Sequence, residues 1–407
     1  MKIRLNSYQI STIEFAFIIY LCAVYLLPSV SISPVLFLGM LLTYMLLLVV
    51  IDKRLLTPFF KVGILILLLA LAYTLLTDAS SISATASSRG IKRLFSKCYQ
   101  YLSLYFPALL LMRICKAASA SQKRIIMLVS LGLMAYVMFT TWIYLIDNPN
   151  ATREWESFDE TAEEGIANYY FIYAIPVIIS VLAACFIRLE MKQKIVSLVV
   201  IVISVGFLLK TQYTLSILAS FAGIAYQIYQ TLGTRQKKAY YIIFIMLLSL
   251  CLPPLLKLSI THIESEQVTT RLLEIYDFLT GKGASGYNLN SRLTLYGNSI
   301  AAFFRSPIWG NRSLDFDGHA TFLTVLSDTG LIGGIPFYWL LSVIIQRVSA
   351  LVEKNGKQFK TVILVFVLMG LTNPVHASMP IGFATWFLAP LMIMTIFKEK
   401  KDGITSL

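Results

Sequence analysis

The sequence predicts an all-α polytopic membrane protein with about twelve transmembrane helices, and three observations predict it. Hydrophobic residues make up 57% of the 407 positions and charged residues only 14%, against roughly 25% charged in a soluble domain. The charges gather in short clusters between apolar runs of about 17 to 22 residues, the length that crosses roughly 30 Å of hydrocarbon. Apart from the basic stretch Ser87–Lys97, basic clusters also take turns along the chain with neutral or acidic ones, which is the mark of a chain threaded back and forth through a bilayer.

Taken in order, the runs place spans at 12–30, 34–51, 62–77, 98–114, 125–146, 169–187, 195–209, 215–231, 240–258, 331–346, 361–379 and 381–397. The first follows Lys2 and Arg4, as a signal peptide would. It is longer than a signal h-region, lacks a small-x-small cleavage site and is followed by further spans, so it reads as a retained helix. An even number of spans puts both termini on one side. With that side cytoplasmic, the inside segments hold 22 of the 34 basic residues and six of the 21 acids, leaving 12 basic and 15 acidic residues outside. The net charge of +13 is therefore a topology signal rather than a nucleic-acid signature. Both termini are then cytoplasmic. Three parts follow: spans one to nine in 1–258, a large external loop in 259–330, and three spans with a tail in 331–407.

Some classes are disfavoured early. Cys22, Cys98, Cys115, Cys185 and Cys251 stand singly, without disulfide or metal spacing, and His262, His319 and His376 are equally dispersed. No cofactor and no metal are expected. No internal repeat is visible, which speaks against a transporter built from repeated halves.

The loop carries the most information. Val268–Leu279 has Leu272, Ile275, Tyr276 and Leu279 at helical spacing before Gly281. A second helix starts after Asn290 or Ser291 and runs to about Phe304, stopped by Pro307; Arg292, Tyr296, Ser299 and Phe303 share one of its faces. A turn-rich stretch, Ser306–Gly318, leads to His319, which with Phe322, Leu323 and Leu326 falls at i, i+3, i+4 and i+7, the first turn of a third helix entering span ten. The unpaired N–H groups of that helix start are expected to favour an anion.

The order Arg292…Tyr296…Pro307-x-x-Gly310…Gly318-His319…Gly330-x-x-Gly333 resembles the signature of the O-antigen polymerase and O-antigen ligase superfamily. The wording Gly318-His-Ala-Thr-Phe-Leu323 and the upstream Arg271-Leu-Leu-Glu-Ile-Tyr276 are most similar to capsular and surface polysaccharide polymerases. Asn168-Tyr-Tyr170 resembles another recurrent family feature. The sequence departs from the family at Thr211-Gln-Tyr-Thr214, where an Arg is usual; Lys210 is the cation nearest to that position. The motif spans about 65 residues, while the span count and the late external loop fit the whole chain.

The resemblance implies a glycosyltransferase of the GT-C kind that works without metal. It implies transfer of a glycan, with inversion, from an undecaprenyl diphosphate-linked donor to an acceptor sugar hydroxyl on the outer face. Membrane lipids, and a chain-length regulator and flippase, are the implied partners, and no nucleic acid is. A leaving diphosphate needs charge-assisted hydrogen bonds, which Arg supplies in bidentate form. An acceptor hydroxyl is served by a base that titrates near neutral pH. His319 is the candidate base, or else a residue packing a helix start. Arg292, aided by Tyr296, is the candidate diphosphate ligand, or else a helix-surface charge. Arg271 either joins it or pairs with Glu274 three residues on. His376, in the tight turn Asn373–Pro380, is a candidate bordering residue. Arg89, Lys92 and Arg93, with Lys97, form a basic helical face that either anchors to anionic headgroups or grips the diphosphate. Asp315 and Asp317 match only a lone DxD. Glu14 and Arg113 lie near the cytoplasmic ends of their spans, far from the loop. Two acceptors remain open, a growing polysaccharide or a lipid A core, and a lipid-linked glycan transporter is the alternative of another class.

Overall fold

The computed structural model describes residues 9–30, 34–51, 84–154, 163–186, 189–262, 287–310, 320–352, 356–375 and 378–402, with isolated positions between 269 and 280. Every regular element among these is helical, as a chain must be where hydrocarbon offers no partner to its backbone. Among the described residues, six helices are long and apolar enough to cross a membrane: Ala120–Asp147, Tyr169–Phe186, Met191–Thr211, Arg235–Leu258, Thr321–Leu351 and Met379–Ile396. Thr12–Leu26 and Leu36–Leu48 are apolar but shorter. The protein is thus an α-helical membrane protein. The expected span 62–77 lies outside the described residues.

We number the helices α1 (Thr12–Leu26), α2 (Pro34–Ile51), α3 (Ala84–Ala117), α4 (Ala120–Asp147), α5 (Ile175–Phe186, after a short turn Tyr169–Ile172), α6 (Met191–Thr211), α7 (Thr214–Thr231), α8 (Arg235–His262), α9 (Tyr287–Arg305), α10 (Thr321–Leu351), α11 (Gly356–Thr372) and α12, which runs from Met379–Phe383 through a π-helical turn, Ala384–Leu388, into Ala389–Asp402. Two boundaries depart from the sequence reading. The helix expected over 361–379 stops at Thr372, because Pro374 disfavours helix in the residue before it, and α12 begins afresh with the Ser378 hydroxyl accepting from the Ile381 N–H at 3.3 Å. The helix expected to start after Asn290 or Ser291 begins at Tyr287 instead. The helix expected over Val268–Leu279 lies largely outside the described residues.

Short connections make successive helices antiparallel, so the bundle has two ends. One, the loop end, carries the ends of α4, α6, α8 and α11 and the start of α10; the other, the basic end, carries the ends of α3, α5, α7 and α10. Of the six long apolar helices, Tyr169–Phe186 and α12 are the most enclosed and α8 the least. Trp386 of the π turn lies edge-on to Phe366 of α11 at 4.9 Å, and Phe383 stacks on Tyr25 of α1 at 5.2 Å.

Packing inside the membrane comes from close approach rather than from escape from water. The buried face of α7 is accordingly small and polar: Ser216, Ala219, Ser220, Gly223 and Gln227. A Cβ at Gly223 would press on Ser180 of α5 and Val365 of α11, and Thr361 donates to Gln227 Oε1 at 2.9 Å.

The basic end is fixed by charge. Arg113 of α3 grips Glu14 of α1 in bidentate fashion, Nε–Oε1 at 2.8 Å and Nη2–Oε2 at 2.9 Å, with side chains only 4% and 11% exposed. Tyr44 of α2 donates to the same Oε1 at 3.0 Å. Three helices are thereby pinned at one carboxylate. Both residues do lie near the basic ends of their helices, as the sequence suggested, but they are partners rather than separate end charges.

Candidate functional site

Gly310 and Gly330 of the motif belong to one joint at the loop end. After α9 the chain turns through Ser306–Gly310, with the Gly310 N–H donating to the Ser306 carbonyl at 2.9 Å. This turn docks against a break in α10, where Gly330 adopts φ 59°, ψ −159°. The break frees the N–H groups of the residues after it, as any helix start does. The Leu331 N–H donates to the Pro307 carbonyl at 2.8 Å and the Ile332 N–H to the Ile308 carbonyl at 3.2 Å. Gly310 has φ +76°, and a Cβ there would collide with the Asp328 carbonyl; one on Gly330 would collide with the Ile308 carbonyl. Both positions therefore need glycine twice over, for the left-handed backbone and for the contact. Pro307-x-x-Gly310 and Gly330-x-x-Gly333 are two halves of one backbone clasp.

A second tie lies nearby. The N–H and the hydroxyl of Thr321, first residue of α10, both donate to the Asn373 carbonyl, at 3.2 and 2.8 Å. Phe322 covers Gly370, whose absent Cβ leaves room for the ring, and the Tyr338 hydroxyl donates to the Phe322 carbonyl at 2.7 Å. The start of α10 is thus fastened to the turn between α11 and α12. One expectation is corrected here: the Thr321 N–H is not free for an anion, because the Asn373 carbonyl takes it.

The expected site residues fall in three groups. His319, Arg271 and His376 lie outside the described residues, as do Asp315 and Asp317. Arg292 is carried by α9, and Arg89, Lys92 and Arg93 by α3, which begins at Ala84 and makes the basic stretch continuous with its span; their side chains are outside the described set. Tyr296 and Lys210 are described in full and half-buried. The joint and the Thr321 tie bring α9, the start of α10 and the α11–α12 turn together. Lys210 stands elsewhere, in the last turn of α6, whose neighbours are α4, α5 and α7.

Around Lys210 the departure at Thr211–Thr214 takes a definite shape. Gln212 has φ 60°, the left-handed turn between α6 and α7. Tyr213 then meets Tyr173 edge-on at 5.5 Å and donates to the Thr152 carbonyl at 2.7 Å. Tyr173 in turn meets Tyr169 edge-on at 5.9 Å. Asn168, which precedes two tyrosines, caps the short helix by accepting from the Phe171 N–H at 3.0 Å. Sequence reasoning did not join these tyrosines, because their positions are about 40 residues apart and only the fold brings them together. It also passed over Asp328, which is buried in α10 at 7% exposure beside the clasp. The signal was present: it is the one acid between Asp317 and Glu353, on a helix that enters the membrane.

Among the described residues, no grouping of His, Cys, Asp and Glu has the geometry to hold a metal ion. No model of a known protein family matches the chain, and no curated protein does.

Proposed function

We propose that this protein is a membrane glycosyltransferase of the GT-C kind, embedded in the bacterial cytoplasmic membrane, that polymerises undecaprenyl diphosphate-linked oligosaccharide repeats on the outer face. The observation that carries the reading is the joint at the loop end. The residues of the family-like motif that can be followed, from α9 through Pro307–Gly310 to Gly330, converge on one structure with the segment that follows His319 and the segment that precedes His376. Five further points of the sequence support it: the Arg292…Tyr296 spacing, the Gly318-His319 wording, the basic stretch before span four, the span count and the charge asymmetry.

In the proposed reaction, the bond between the anomeric carbon and the diphosphate oxygen breaks while an acceptor hydroxyl attacks from the opposite face. His319 takes the hydroxyl proton, and Arg292 and Arg271 stabilise the departing diphosphate. Arg89, Lys92 and Arg93 supply further positive charge, and Tyr296 and His376 border the site; Lys210, in the last turn of α6, stands apart from the joint and takes no part. Charge-assisted bonds of this kind contribute roughly 1.5–3 kcal/mol each. The acceptor decides between a polymerase and a ligase that loads a lipid A core, and only the polymerase uses another lipid-linked repeat. Purified protein incubated with lipid-linked repeats should yield a ladder of products differing by one repeat. Transfer of a single glycan to added lipid A core, with no ladder, would replace the polymerase by the ligase. No transfer to either acceptor by folded protein would sink the enzyme reading.

A further inference from the structure

The external helix α9 has three faces, and the third is unexplained by the joint. Ser299 and Ala302 are buried against α10, 3% and 4% exposed. Thr294, Asn298 and Arg305 are exposed and fall together in a second, polar sector at about 100° per residue. Between these sectors stand Ile300 and Phe304, 45% and 73% exposed, followed beyond the helix end by Ile308 and Trp309 at 53% and 48%. A solvated helix has no use for such a stripe. Leaving a large apolar side chain in water costs about 1.5–3 kcal/mol relative to covering it.

The stripe is continuous with a second one. On α10, which is long and apolar enough to cross a membrane, Leu331, Ile335 and Trp339 are 42%, 62% and 47% exposed and stand at i, i+4 and i+8, one outward face. The hydrogen bonds from Leu331 and Ile332 to the carbonyls of Pro307 and Ile308 set the end of the α9 stripe directly at the head of the α10 stripe. A face that meets lipid along α10 therefore continues without a break onto α9. The tryptophan at the junction is the residue type enriched where hydrocarbon meets headgroups.

We infer that α9 lies in the plane of the membrane interface at the loop end, with Ile300, Phe304, Ile308 and Trp309 in the lipid and Asn298 and Arg305 in water. The occupant of the apolar face is bilayer lipid, as for an amphipathic helix lying in an interface. Where the function proposed above also holds, the consequence is chemical: Arg292 rides on a helix held at phosphate depth, level with the diphosphate of a membrane-bound donor.

The test needs no activity. In the full-length protein, reconstituted in phosphatidylethanolamine–phosphatidylglycerol nanodiscs, Phe304, Ile308, Asn298 and Arg305 are replaced one at a time by an environment-sensitive fluorescent amino acid. Lipids with a nitroxide near the headgroup should quench the probe at 304 and 308 at least twofold more than at 298 and 305, and aqueous iodide should show the reverse order. Equal quenching by iodide at all four positions would overturn the inference. Protection of 304 from both quenchers would also overturn it, by showing that protein rather than lipid covers the stripe. Ile300 carries the same readout should the Phe304 variant not fold. Failure here leaves the glycosyl-transfer reading standing, and failure of that reading leaves this one.

Discussion

The two ends of the bundle are held by different chemistry. At the basic end, one buried carboxylate, Glu14, is shared by Arg113 and Tyr44, so side chains from three helices make the junction. At the loop end, the junctions are made by backbone groups: the carbonyls of Pro307, Ile308 and Asn373 receive the N–H groups of Leu331, Ile332 and Thr321. A charged junction tolerates changes of backbone and fails when a charge is lost. A backbone junction tolerates most side chains and fails when a Cβ is added where none fits. The loop end can thus hold a fixed shape while leaving side chains of the same segments available for chemistry, which suits a site; the basic end spends its polar groups on holding helices together.

The largest expected effect follows from that division. His319→Ala should lower product-forming turnover by roughly 10²- to 10⁴-fold while the thermal midpoint of the purified protein stays near that of the parent. Wild-type-like ladders from folded His319→Ala protein would remove the catalytic assignment and leave the loop end as a structural joint only.

Next in size is the opposite behaviour at the basic end. Arg113→Ala leaves Glu14 buried without its cation, and losing one partner of a buried pair costs about 3–5 kcal/mol. The midpoint of detergent-solubilised protein should fall steeply, while turnover per folded molecule stays close to normal. The double variant Glu14→Leu with Arg113→Met should recover most of the loss, since well-packed apolar replacements of buried pairs are often neutral. A midpoint unmoved by Arg113→Ala would show that the pair contributes little, and would erase half of the contrast.

Gly330→Ala comes third. A non-glycine residue in a left-handed backbone costs about 1–3 kcal/mol, and the added methyl collides with the Ile308 carbonyl, overpacking that typically costs about 1–3 kcal/mol. Gly297→Ala is the matched control. It lies on the exposed side of α9 with nothing within 4 Å of its absent Cβ, so alanine should leave stability unchanged or raise it by about 1 kcal/mol or less. Equal thermal midpoints for the two variants would contradict the clasp.

How much of this was legible in the sequence depends on the kind of signal. The helices were, because a run of apolar residues long enough to cross a bilayer leaves its length in the sequence; α1, α2 and α4 to α8 all fall on expected runs. The end of α11 is hidden in the sequence because apolar residues continue past Asn373-Pro374, whereas the proline ends the helix. In the joint, the glycines were visible as a motif, but their pairing was not, since Gly310 and Gly330 stand 20 positions apart and meet only in the fold. The Glu14–Arg113 pair was invisible for the same reason: 99 positions separate the partners, and each alone reads as an end-of-span charge. The expectation that α10 would offer free N–H groups failed at Thr321 because helix starts look alike in sequence, whether a ligand or a neighbouring carbonyl satisfies them.

The smallest expected effect is the sharpest test of the contrast, because it removes a side chain from a junction made by backbone. Thr321→Val preserves shape and deletes only the hydroxyl that donates to the Asn373 carbonyl at 2.8 Å. The Thr321 N–H still donates to the same oxygen, so no buried acceptor is left unmet, and the loss should be that of one ordinary hydrogen bond, about 0.5–1.5 kcal/mol. Turnover should fall by no more than about tenfold, the factor that 1.36 kcal/mol of barrier represents, even though Thr321 is only two residues from His319. Thr321→Ser retains the donor and should restore both stability and rate. If Thr321→Val instead proves as damaging as Gly330→Ala, a side chain rather than the backbone holds the start of α10. The loop end would then be built on the same principle as the basic end.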